Sequence, residues 1–171
     1  MKLIESKTLG TAAASIEFTS IPQDGTDLVV LVSPRSLRAS VFDDLLIEFN
    51  SSTSNLSSRW LQGTGSAADS SSSASVVEMI INADTATSNT FGSVQIYIPN
   101  YTSSAAKSVS AESLGETNAT TIYMRLVAGL WNNTAAITSL KIYPRNANFA
   151  TNTVASLYKI TKGSDGIVTT S

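Results

Sequence analysis

Period-two alternation, interrupted every few residues by turn chemistry, constrains this chain more than any other feature of it. Successive side chains of a strand point to opposite faces, so strand-length alternation of apolar and polar residues marks a half-buried strand. Residues 14–21 set Ile16 and Phe18 on one face and Ser15, Glu17 and Thr19 on the other. Residues 27–33 form a continuous apolar run, expected as a central strand covered on both sides. Residues 44–50 alternate Leu45, Ile47 and Phe49 against Leu46 and Glu48, and residues 93–98 turn Val94, Ile96 and Ile98 inward. Residues 121–131 set Ile122, Met124, Leu126, Ala128 and Leu130 on one face, opposite Tyr123, Arg125 and Val127. Further runs occupy 75–82, 136–143 and 153–161, with weaker ones at 3–8, 57–62 and 106–111.

Punctuation between these runs is strong. Pro22-Gln23-Asp24-Gly25 combines a preset φ, a side chain that bonds its own backbone and a residue free to take positive φ. Every proline falls at a strand end or in a loop, where a missing backbone donor does no harm. The fold class expected is all-β: an antiparallel, jelly-roll-like β-sandwich of about eight to ten short strands with little or no helix. One turn of helix is the exception allowed, between Ser36 and Leu46. The serine-rich stretch 62–75 reads as a flexible solvated loop, and 83–92 as a long connection. The expected organisation is an N-terminal strand or arm over 1–15, a sandwich over 16–162 and a frayed tail over 163–171.

Composition removes most chemistry. No cysteine and no histidine occur, which excludes disulfides, thiolate metal sites and thiol nucleophiles. It also excludes any Ser–His–Asp triad and the commonest general base. Charged residues make up 14% of the chain, against about 25% in an average soluble domain. Polarity comes instead from 28 Ser and 20 Thr. A net charge of −2 has the wrong sign for coating nucleic acid. No apolar run approaches the length of a membrane helix, and the N-terminus lacks the apolar stretch of a signal peptide. Neither a nucleic-acid nor a membrane partner is expected.

The remaining candidates are sparse. Asp43–Asp44, Glu112 with Glu116, and Asp24 with Asp27 are the carboxylate pairs a glycosidase would need. They read as caps, turns and solubilising charges, and Glu112 and Glu116 fall in a loop-like stretch. Arg35, Arg38 and Arg59 read as solvated surface charge, with pairing to the Asp43–Asp44 region as the alternative. Gly63-Thr64-Gly65 opens no helix, so no nucleotide fingerprint is present. No catalytic residue, metal ligand or cofactor is assigned, and the chain is not expected to be an enzyme. Trp60, Tyr97, Tyr101, Trp131, Tyr143 and Tyr158 read either as residues that finish the core or brace a sheet edge, or as a carbohydrate-stacking or protein-contact surface. Tyr97, Tyr101 and Trp131 are the candidate contacts, and Tyr97 falls on the polar side of its strand.

Several blocks carry a resemblance. Residues 16–36 (IEFTSIPQDGTDLVVLVSPRS), 42–50 (FDDLLIEFN), 90–104 (TFGSVQIYIPNYTSS), 129–142 (GLWNNTAAITSLKI) and 150–160 (ATNTVASLYKI) resemble a family of tailed-bacteriophage virion structural proteins. The resemblance implies a jelly-roll-like sandwich, often assembled as trimers, with no catalytic residue to carry over. It implies a capsid decoration, or cement, protein whose partners are the major capsid protein and its own copies. Such a protein sits on the capsid surface of the virion after assembly in the host cytoplasm. The alternative implied is a tail-fibre or receptor-binding module recognising host surface glycans. Leu3 and Ile4, on the alternating N-terminal stretch, join Tyr97, Tyr101 and Trp131 as candidate shell or subunit contacts, with strand addition as the docking mode.

Overall fold

The computed structural model describes residues 1–117 and 122–163. The expected tail 163–171 therefore lies, apart from Gly163, outside the described residues. Twelve strands are present among the described residues: β1 (Lys2–Thr8), β2 (Ile16–Phe18), β3 (Asp27–Ser33), β4 (Phe42–Phe49), β5 (Leu56–Gly63), β6 (Ala68–Ser73), β7 (Glu78–Asn82), β8 (Ser93–Ile98), β9 (Lys107–Glu116), β10 (Ile122–Trp131), β11 (Leu140–Pro144) and β12 (Val154–Ile160). They form an eight-stranded sheet in the order β1-β12-β3-β8-β9-β10-β5-β6 and a four-stranded sheet in the order β2-β11-β4-β7.

Eight of these strands pair antiparallel as β1·β12, β2·β11, β3·β8 and β4·β7. The chain crosses between sheets as it passes through them. That is the strand order of a jelly roll, a long hairpin wound around a two-sheet core. The other four strands are two inserted hairpins. β5–β6 leaves the chain between β4 and β7, and β9–β10 leaves it between β8 and β11. They meet along β5·β10 and extend the first sheet past β8.

This extension overturns two local expectations. The serine-rich segment is not wholly a loop: β6 pairs with β5 from Ser58↔Ser73 to Gly63↔Ala68. Serine has little intrinsic strand preference, but ladder hydrogen bonds to β5 hold it there without side-chain burial. Glu112 and Glu116 lie on β9, not in a loop. No helical turn forms between Ser36 and Leu46; the Ser36 N–H is taken by the Asn82 carbonyl at 2.9 Å, and β4 begins at Phe42. Residues 1–15, expected as a strand or arm, hold the strand β1, which is stitched to β12 of its own chain with an irregularity between Leu3 and Glu5.

Core packing follows the alternation elsewhere. Leu28, Val30 and Val32 of β3 face Leu45, Ile47 and Phe49 of β4 across the sandwich, all buried. Each such side chain contributes about 1.5–3 kcal/mol over an exposed one. In β10, however, periodicity and hydrophobicity disagree. The two faces are those the alternation divides, yet the mainly aliphatic one (Met124, Leu126, Ala128, Leu130) points to solvent. Arg125, Val127 and Trp131 point inward. Gly129 lies on this inner side, where a Cβ would come within 2.8 Å of the Val77 side chain.

Polar groups clamp the extension to the small sheet. Arg125 pairs with Asp44 at 3.0 Å, donates to Gln62 Oε1 at 2.8 Å and stacks on Trp60 at 4.3 Å. The Trp60 indole donates to Glu78 at 2.8 Å, and Arg145 bridges Glu78 and Asp44. Arg35, expected as solvated surface charge, is buried and donates to the carbonyls of Asp84, Ala86, Thr87 and Thr90. It staples the connection between β7 and β8. Arg38 does reach Asp43, at 3.7 Å.

Candidate functional site

The five contact candidates separate by depth. Trp131 is 1% exposed and packs on Phe49 with ring centroids 5.4 Å apart. Tyr101 is equally enclosed; its hydroxyl donates to the Pro22 carbonyl and accepts the Gly25 N–H at 3.2 Å, latching the turn 22–25. Both are interior, so neither presents a surface to a partner. Their positions at strand ends resemble surface positions in the sequence, but each fills the space where the sandwich closes. Ile4 packs half-buried against the core, whereas Leu3 is exposed. Tyr97 is half-buried on the outer face of the eight-stranded sheet.

Cross-strand register ties two of them into one surface. Leu3, Tyr158, Val29 and Tyr97 lie side by side on β1, β12, β3 and β8. The row continues through Ser110, Ala128 and Arg59 of β9, β10 and β5. Val29, expected under a second layer, is covered instead by its tyrosine neighbours in this row. A parallel row runs Gln95, Glu112, Leu126, Leu61.

On the extension this face has two unusual properties. Leu61, Met124, Leu126 and Leu130 are 63%, 52%, 51% and 38% exposed, an aliphatic stripe where a solvated sheet face is ordinarily polar. The same face holds a trough of about 830 Å³, lined by Leu61 and Leu126 of the stripe together with Tyr97, Gln95, Arg59 and Ser70–Ser72. The stripe could not be assigned to solvent from sequence, because alternation names two faces without saying which one is covered. The trough could not be found from sequence at all; its walls come from β5, β6, β8, β9 and β10, whose pairing is non-local.

Nothing in the described residues gathers three potential metal ligands. The carboxylates nearest one another are spent internally: Asp43 accepts Asn146 Nδ2 at 2.6 Å, and Asp44 and Glu78 are held by arginines. Glu112 is different, an exposed carboxylate on the trough.

Buried phenols give the fold an alkaline limit. Burial raises the pKa of Tyr97 and Tyr101, and the acceptor Asp27, 2.9 Å from the Tyr97 hydroxyl, adds to the first. Tyr143 is pushed up to about 12 by burial and by its hydrogen bond to Glu48. A phenol harder to ionise folded than unfolded lends stability that is complete below its ordinary pKa of 10.0 and is lost as pH rises through the folded value. Lys107 has the opposite sign: burial lowers its pKa, and its ammonium caps the carbonyls of Ser103 and Ala105, so its penalty fades as pH rises toward 10.5. With three phenols against one amine, unfolding midpoints should fall steeply above pH 10. Tyrosinate absorbance of the folded protein should lag that of the urea-unfolded chain; coincident titration curves would contradict this.

Comparison of the chain with protein-family models, with curated proteins and with solved structures finds no match.

Proposed function

We propose that this chain is a non-enzymatic structural component of a tailed-bacteriophage particle, a capsid decoration protein that joins the assembled head shell as a trimer. The observation that carries the reading is the outward aliphatic stripe on β5 and β10. A Leu or Met side chain fully covered by a partner contributes about 1.5–3 kcal/mol, against which the entropy of association must be set. Binding only the assembled shell would stabilise it by mass action, and three linked copies would multiply a modest contact. The jelly-roll order, the absence of cysteine and histidine, and the sequence blocks described above support the same reading. A tail-fibre or receptor-binding module for host surface glycans is the second reading, favoured by the trough.

Met124 and Leu130, at the two ends of the stripe, lie outside the trough. The wild-type chain should sediment as a trimer and co-sediment with emptied heads. Met124→Asp/Leu130→Asp should be monomeric and unattached while melting at the wild-type temperature, because both positions face solvent. A wild-type chain that stays monomeric and ignores heads would remove the decoration role.

A further inference from the structure

The trough on the outer face gathers polar side chains that have no partner within the protein. The Arg125–Asp44–Arg145–Glu78 clamp and the Arg35 staple, by contrast, are consumed internally. In the trough, the side chains of Gln95, Ser110 and Glu112 make no hydrogen bond or ion pair among the described residues. The Arg59 guanidinium donates only to the neighbouring Ser58 carbonyl, at 2.9 Å. Interleaved with them are apolar surfaces: the Tyr97 ring, whose hydroxyl is anchored on Asp27, and the Leu61 and Leu126 side chains.

We infer that this trough is a binding site for a neutral oligosaccharide. The inference deepens the receptor-binding reading and rests on it. Charge comes first: one carboxylate and one guanidinium line the trough, so it carries no excess of positive charge to select a phosphate, an acidic sugar or a nucleic acid. Backbone chemistry comes second. β5, β8, β9 and β10 are each paired on both sides, so their N–H and C=O groups are already spent in the ladders. Of the strands lining the trough, only β6, at the edge of the sheet, is paired on one side alone. An extended peptide laid across the other four would find no backbone partners for its own amides. Sugar rings need none, because their hydroxyls can be met by Glu112, Gln95, Arg59 and serine side chains while their C–H faces lie on Tyr97 and the leucines.

Size agrees. From Tyr97 on β8 to Arg59 on β5 is three strand spacings, about 14 Å, enough for a short segment of a longer chain. The volume of about 830 Å³ lies within the usual range for ligand clefts. Met124 and Leu130 lie outside the trough, whereas Leu61 and Leu126 belong both to the stripe and to the trough lining.

The test is binding of the full chain to a glycan array carrying both neutral and acidic oligosaccharides of known structure, followed by calorimetry on the glycans retained. Neutral glycans should be retained. Affinity should fall at least tenfold in Tyr97→Ala and in Glu112→Ala. Glu112 is exposed and unbonded, so its variant folds even if loss of Tyr97 disturbs the sheet. Retention of acidic glycans alone, or neutral binding unchanged in Glu112→Ala, would overturn the site while leaving the receptor reading in place. No glycan retained at millimolar concentration would overturn both, and selective capture of peptides from a random peptide library instead of glycans would do the same.

Discussion

Replacing Trp131 with alanine should lower the unfolding free energy by about 3–5 kcal/mol, the usual loss for a large aromatic removed from a core. The side chain ends β10, is 1% exposed and leans on Phe49 where the two sheets close. Its indole N–H finds no acceptor among the described residues, so truncation orphans no partner and the whole loss is packing. Against a typical total stability of about 5–15 kcal/mol, this is a large fraction. Urea unfolding should show a lower midpoint at an unchanged slope. A tryptophan serving as a surface contact would leave the midpoint where it is, which makes the measurement decisive between the two placements.

Arg35→Met should be nearly as damaging, at about 2–5 kcal/mol. The guanidinium donates to four carbonyls, of Asp84, Ala86, Thr87 and Thr90, at 2.8–3.0 Å. Methionine fills similar space but donates nothing, so those acceptors lose their partner together. Arg35→Lys should rescue little, because one ammonium cannot spread across acceptors that a planar fork reaches at once. Besides a lower urea midpoint, limited proteolysis should move to residues 83–92, the stretch the staple holds. Cleavage and midpoint both unchanged would mean that the connection keeps its shape without the arginine.

These two residues also mark where sequence reasoning runs out. Alternation and turn residues were enough to read the sandwich, since Leu45, Ile47 and Phe49, or Val94, Ile96 and Ile98, carry their own orientation in a local pattern. Trp131 and Arg35 carry no such pattern. Whether an arginine near a proline is solvated or buried depends on a loop fifty residues away closing over it. β6 shows the same limit, because four consecutive serines fall in a strand only through a partner that already presents an open edge. The trough was least legible of all. Leu61, Glu112 and Tyr97 become neighbours through pairings between β5, β10, β9 and β8 that no short window contains. Tyr97 was nonetheless placed by alternation on the polar side of its strand, which is the outer face.

The seam between β5 and β10 joins Leu56 to Trp131 and Gly63 to Met124, so the added half of the large sheet is completed by stretches of chain distant in sequence. Such contacts slow folding, because a long loop must be closed before any of them forms. Before closure, β10 shows water both an aliphatic flank and an unsatisfied ladder, the condition in which nascent chains associate wrongly. Afterwards the four strands gain or lose order together, so the trough floor is a single cooperative plate, less free to wander than a pair of independent loops would be.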